Sequence, residues 1–160
     1  VPAAIAPAVQ SPATSARNGL AGTRVLVVDN EAPARAALRQ ALEGMGCIVV
    51  DAGDGESARR RLLESQADLW LFDHHLDDGD TGVQVHARLA SEFGARPAVI
   101  LSADAGAEVR AAVHEAGLPL LMKPLKPLAL KSVLDRLLAA RGMAHPAPRH
   151  TNASLPGWKR

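Results

Sequence analysis

Leu69-Trp70-Leu71-Phe72-Asp73 decides how this chain folds. Four large apolar residues run straight into one carboxylate. A short apolar run of this kind reads as a strand buried on both faces, as in a parallel sheet. Asp73 then falls at the strand's C-terminal end, where such a sheet opens to solvent. A carboxylate there adds nothing to a core. It does chemistry, binds a ligand, or serves as a helix cap or turn residue.

The segments on either side repeat the pattern. Val25-Leu26-Val27-Val28 reads as a strand ending at Asp29. Pro33 sits where the first turn of a helix tolerates it, and Ala34, Ala37, Leu38, Ala41, Leu42 and Met45 form one apolar stripe. Gly44 and Gly46 stop that helix. Cys47-Ile48-Val49-Val50 reads as the second strand, with Cys47 as a small buried side chain. A second helix covers Gly55 to Ser65, with Ala58, Leu62 and Leu63 inward and Arg59, Arg60 and Arg61 mostly outward. After Asp73 a loop, His74 to Thr81, leads into a third helix from about Gly82 to Phe93. Pro97 to Leu101 is the fourth strand, ending at Ser102. A fourth helix carries Val109, Ala112, Val113 and Ala116. Leu118 to Met122 is a short fifth strand ending at Lys123, and a fifth helix from near Pro127 buries Leu130, Leu134, Leu137 and Leu138.

Strand alternating with helix requires right-handed crossovers, hence an α/β fold with a parallel sheet and helices on both faces. For five strands the flavodoxin-like, doubly wound order 2-1-3-4-5 is the common solution. Residues 23–141 are expected to form this domain. Residues 1–22 are rich in Ala, Pro and Ser, carry one charge at Arg17, and read as a flexible linker. They lack the basic segment of a signal peptide. The chain opens on Val rather than Met, which fits a piece of a longer protein. Residues 142–160 read as a disordered tail, in which Asn152-Ala153-Ser154 matches a glycosylation sequon by chance.

Composition narrows the function. Apolar residues make up 48% and charged residues 22%, as in soluble globular domains. A formal net charge of +1, two Trp, two Phe and no Tyr disfavour a nucleic-acid surface. No stretch is long and apolar enough to span a bilayer. The single cysteine excludes an internal disulfide and a cysteine-rich metal site, and a cytoplasmic location is expected.

The strand ends carry the chemistry. In the order above, the first and third strands are neighbours, and the crevice at the switch point lies between them. Asp29, Asn30, Asp73, Ser102 and Lys123 should converge there. Hard oxygens from Asp29, Asn30 and Asp73 suit Mg²⁺, which keeps several waters. A carboxylate can attack phosphorus and become an acyl phosphate. Mg²⁺ and Lys123 would neutralise charge on the transferring oxygens, and Ser102 could donate a hydrogen bond to one of them.

These residues, with Val25-Leu26-Val27-Val28-Asp29-Asn30-Glu31 and Lys123-Pro124, resemble the receiver domain of two-component response regulators. The resemblance covers residues 24–141 and implies a CheY-like fold. It implies that Asp73 is the phosphoacceptor in phosphorelay signal transduction, taking a phosphoryl group from a phosphohistidine. Asp29 and Asn30 hold the position of the family's Mg²⁺-binding acidic pair, and the backbone carbonyl of His75 is a further ligand. Ser102 takes the conserved hydroxyl position, Lys123 the conserved lysine, and Lys123-Pro124 the family's cis peptide. His75-Leu76-Asp77-Asp78-Gly79 and Leu121-Met122-Lys123-Pro124 look like receivers fused to the C-terminus of hybrid sensor histidine kinases.

The implied partners are a histidine kinase or phosphotransfer domain, including kinase domains of the same parent chain, with no nucleic acid and no direct membrane contact. The parent itself is a candidate for membrane attachment and for kinase activity. The isolated chain would only gain and lose a phosphoryl group at Asp73.

Two departures from the family stand out. Asn30 replaces the usual second acid, so weaker Mg²⁺ binding than in an all-acid site is expected. Leu120 stands where the family often has Tyr or Phe, so signalling through the fifth strand must use other packing changes.

Rival readings make weaker sense of the residues. A phosphatase with an aspartyl nucleophile needs a second Asp two residues on, where this chain has His75. A receiver-like interaction module that is never phosphorylated has only Asn30 in its favour. Adjacent His74 and His75 on an extended segment point opposite ways and chelate metals poorly. Asp77-Asp78-Gly79-Asp80 departs from the calcium-loop spacing, and no glycine-rich turn follows Val28-Asp29 for a dinucleotide. His86 and His114 fall on helices, solvated or half-buried.

Overall fold

A computed structural model describes residues 19–144. The strands are β1 (Arg24–Val28), β2 (Ile48–Ala52), β3 (Leu69–Asp73), β4 (Ala98–Ser102) and β5 (Leu120–Met122). The helices are α1 (Ala32–Gly44), α2 (Gly55–Glu64), α3 (Gly82–Phe93), α4 (Ala107–Glu115) and α5 (Pro127–Ala144). A short 3₁₀ turn, Asp77–Gly79, lies in the loop after β3. All strand pairs are parallel and the sheet order is β2-β1-β3-β4-β5, as the alternation of elements predicts.

Every residue of β3 is buried, and β3 lies between β1 and β4. Its side chains alternate between the two faces. Trp70 and Phe72 join Leu26, Val28 and Ile100 in one core layer, against Ala58, Leu62, Val85, Leu89, Val109 and Val113 of α2, α3 and α4. Leu69 and Leu71 join Val25, Val27, Val99 and Leu101 in the other, against Leu38, Leu42, Leu130 and Leu134 of α1 and α5. Each buried Val, Leu, Ile or Phe among them contributes about 1.5–3 kcal/mol. The half-buried His86 ring packs edge-on against Trp70 and Phe72 at 6.1 and 5.9 Å.

Several expectations are corrected. The linker was expected to reach residue 22, but Leu20 is fully buried, and Gly22 N–H donates to Gly46 O at 2.8 Å. Residues 19–22 therefore belong to the folded unit, and residues 1–18 lie outside the described residues. The helix expected to end near 141 continues to Ala144, because one glycine, Gly142, weakens a helix by only about 1 kcal/mol. The rest of the expected tail, residues 145–160 with its sequon, lies outside the described residues. Leu63, expected inward, is 59% exposed. Ala58 and Leu62 are four apart and face the sheet together, while Leu63 is turned about 100° away. Pairing in the last strand begins at Leu120 rather than Leu118.

The start of α3 is set against the end of β3. Thr81 Oγ1 accepts from Gln84 N–H at 3.2 Å, and Gln84 Oε1 accepts from Thr81 N–H at 2.9 Å. This reciprocal capping box fixes the helix start. Gly82 is buried there, and a Cβ on it would fall 2.6 Å from the carbonyl oxygen of Asp73 and 3.0 Å from Phe72 Cβ. Gly82→Ala must therefore push α3 away from β3. A loss of about 1–3 kcal/mol in urea unfolding is expected, the scale of an overpacked site; unchanged stability would show that the contact is loose.

Candidate active site

Four strand ends build one corner of the molecule. Val28 pairs with Phe72, so Asp29 and Asp73 each stand one step beyond that pair. Asp73 pairs with Leu101, and Ser102 with Met122, which puts Lys123 just past the sheet edge. Asp29 is 1% and Asp73 8% exposed.

The Lys123 ammonium joins the two acids. Its Nζ lies 3.3 Å from Asp29 Oδ2 and 3.2 Å from Asp73 Oδ1. Asp29 is further fixed by Glu31 N–H, which donates to its Oδ1 at 2.9 Å, and by Arg35, whose Nη1 donates to its backbone carbonyl at 2.6 Å. Arg35 itself is anchored on Asp51 at 3.3 Å. The Lys123-Pro124 peptide is cis.

The charges shift one another. Burial pushes the Asp73 carboxyl above the usual carboxylate value; Lys123 pulls it down, and the charge of Asp29 pushes it up again. Burial alone would lower Lys123, but Asp73 and Asp29 together hold it above the ordinary lysine value. The corner is thus two buried carboxylates sharing one ammonium, with negative charge in excess.

The other expected residues are placed less directly. Ser102 is fully buried at its strand end, but its hydroxyl is turned into its own loop. It accepts from Asp104 N–H at 2.9 Å and donates to Asp104 O at 3.2 Å. Asn30 turns its amide nitrogen to Asp77, donating to Oδ1 at 2.9 Å. His75 forms an isolated bridge with Thr81. The hydrogen bonds there run from Gly82 N–H to His74 O and from Leu76 N–H to Asp80 O, so the His75 carbonyl takes no part in them.

The two adjacent histidines do not point opposite ways, as expected of a strand. Their rings meet edge to face at 4.9 Å because the chain turns after Asp73. His74 is buried, its Nδ1 has no hydrogen-bond partner, and burial, reinforced by the charge of His75, lowers its pKa. The exposed His75 lies 3.5 Å from Asp104.

The donor set suits a small hard cation. Asp29 and Asp73 supply carboxylate oxygens at one corner, and the His75 carbonyl is not used by the turn. Mg²⁺ is commonly held by one or two carboxylates while waters fill the rest. Among the described residues no cluster of three or more His, Cys, Asp or Glu side chains is placed to hold a metal.

Sequence reasoning missed Asp77, Asp104 and Arg35, all partners of the expected residues. The pairings of Asp77 and Asp104 depend on loop paths that no spacing rule gives, and that of Arg35 on how α1 packs against β1 and β2. The Thr81-Gly82-Val83-Gln84 capping box was readable, since its residue types sit at the required spacing.

The family model described as "Response regulator receiver domain" matches residues 25–135. This chain belongs to the response regulator receiver domain family.

Among its curated relatives, the transcriptional regulatory protein PrrA of Mycobacterium tuberculosis is 34% identical over 125 residues, covering 78% of this chain and 53% of that protein. The phosphate regulon transcriptional regulatory protein PhoB of Escherichia coli is 36% identical over 121 residues, covering 71% and 52%. The receiver domain thus spans about half the length of these relatives. Among solved structures, the signal receiver domain of a modulated diguanylate cyclase from Desulfovibrio desulfuricans superposes with a TM-score of 0.69 at 25% identity, covering 76% of this chain and 98% of that one. The chemotaxis protein CheY4 of Vibrio cholerae gives 0.65 at 25% identity, covering 73% and 99%. Among the described residues no helix is long and apolar enough to cross a membrane.

A pH dependence follows from the raised Asp73 pKa. The unfolded chain gives up this proton more readily, so Asp73 contributes stability below the ordinary carboxylate range and loses it as pH rises through its folded pKa. Asp73→Asn removes that loss. In metal-free urea unfolding the variant is expected to be more stable than wild type at pH 7, with the difference shrinking at about pH 3, below the unperturbed aspartate value. A variant less stable at pH 7 would contradict the shift.

Proposed function

We propose that this receiver domain takes a phosphoryl group from a phosphohistidine onto Asp73, in the presence of Mg²⁺. The observation that carries the reading is the Lys123 ammonium, at 3.2 Å from Asp73 and 3.3 Å from Asp29. Burial makes Asp73 a stronger base than an ordinary carboxylate, hence a better nucleophile.

A carboxylate oxygen of Asp73 would attack phosphorus while the phosphorus–nitrogen bond to the donor imidazole breaks and its electron pair returns to the ring nitrogen. Lys123 offsets charge on the transferring oxygens, and Asp29 keeps Lys123 in place. Mg²⁺, held by Asp29, Asp73, Asn30 and the His75 carbonyl, would supply further positive charge to the same oxygens. Ser102 can donate to a phosphoryl oxygen only by giving up its donation to Asp104 O, so modification at Asp73 would be felt in the loop after β4. Such linked equilibria typically carry about 1–3 kcal/mol.

The donor is a histidine kinase or phosphotransfer domain. On the likeness of its loop and Lys123 motifs, the parent is read as a hybrid sensor histidine kinase, in the cytoplasm. The names of the curated relatives favour a second reading, in which the parent is a transcriptional regulator. The phosphatase reading finds no support at His75, which is a histidine paired with Asp104 rather than an acid.

Incubation with acetyl phosphate and Mg²⁺, followed by intact-mass measurement, tests the core of this reading. Wild type should gain the mass of one HPO₃ group and Asp73→Asn none. An adduct that persists in Asp73→Asn, or none on wild type, would overturn it.

A further inference from the structure

Asn30 stands where an acid is expected, and its amide is not idle. Its Nδ2 donates to Asp77 Oδ1 at 2.9 Å across the loop after β3. An ionised carboxylate only accepts, so chemistry alone fixes the nitrogen as the end that faces Asp77. The amide oxygen is then the end left over.

Asp77 does not reach Asn30 by chance mobility of the loop. Leu76 N–H bonds to Asp80 O at 3.1 Å and Asp80 N–H to Asp77 O at 3.2 Å, closing the 3₁₀ turn. Asp80 is tied in turn to Arg88 of α3 at 3.0 Å, and α3 is fixed by its capping box. The backbone around Asp77 is thus held without help from Asn30.

An amide beside a cation site has a specific weakness. It carries no net charge, and it can rotate to present its NH₂ group, which repels a cation. A carboxylate fastened to the nitrogen removes both problems. Partners that orient a ligand in this way commonly govern metal affinity.

We propose that Asp77 is a positioning residue for divalent-cation binding: its carboxylate holds the nitrogen of Asn30, leaving the amide oxygen for the ion, and restores the negative charge that Asn30 lacks. This rests on the reading of Asp29 and Asp73 as a Mg²⁺ site. In an all-acid site such a partner has no amide to orient.

Calorimetric Mg²⁺ titration of the full chain tests it, with Asp77→Ala and Asp77→Asn each made in wild type and in Asn30→Asp. Asp77→Ala in wild type should weaken Mg²⁺ binding about tenfold, the lower end for a ligand-orienting partner. Asp77→Asn keeps an acceptor and should lose less. In Asn30→Asp, which should itself bind more tightly than wild type, removing Asp77 should change affinity by less than about threefold, the scale of one exposed charge. Unchanged or tighter binding in Asp77→Ala, or an equal loss in both backgrounds, would overturn the proposal while leaving the site reading intact. No Mg²⁺ uptake by wild type would overturn both. Circular dichroism of each variant separates these outcomes from unfolding.

Discussion

One ammonium between two buried carboxylates organises the working end of this domain. Asp29 and Asp73 sit at neighbouring strand ends, nearly closed off from water. Burial disfavours the charge on each of them and on Lys123. The attraction of Lys123 for both acids offsets this, and Glu31 N–H further satisfies Asp29. Burial, with the charge of Asp29, still keeps Asp73 more basic than an ordinary aspartate despite the pull of Lys123. Carboxyls perturbed in this way cluster at functional sites.

The rest of the fold serves that placement. The order β2-β1-β3-β4-β5 sets the ends of β1 and β3 side by side and brings β5, with Lys123 after it, to the same edge. Gly82 lets α3 begin against the Asp73 carbonyl, and the capping box of Thr81 and Gln84 holds it there. The loop between is thereby short and tied down, and within it Asp77 accepts from Asn30 at 2.9 Å. In the loop after β4 the Ser102 hydroxyl is engaged with the Asp104 backbone.

What the sequence made legible follows from its physics. Leu69 to Phe72 could only be a strand buried on both sides, and strand-helix alternation left one common order for the sheet. The acids and lysine at strand ends were therefore readable as one group from their positions in the chain. The boundaries of α3 were readable as well, because its apolar spacing and flanking residues agree. Side-chain pairings between loops were not. Nothing in the spacing says that Asn30 meets Asp77, or that Ser102 turns to Asp104 instead of Asp73. Leu63 misled because an apolar residue beside Leu62 cannot share its face. Leu20 misled because its neighbours are small and flexible, although its own side chain fills the core beneath α1.

The most direct measurement is the carboxyl carbon titration of Asp73 by nuclear magnetic resonance in metal-free buffer, in wild type, Lys123→Met and Asp29→Asn. If the three groups share one corner as described, Asp73 titrates above the ordinary aspartate value of about 3.9, moves further up without Lys123, and moves down without the charge of Asp29. An Asp73 that titrates at the ordinary value and ignores both substitutions would contradict the account.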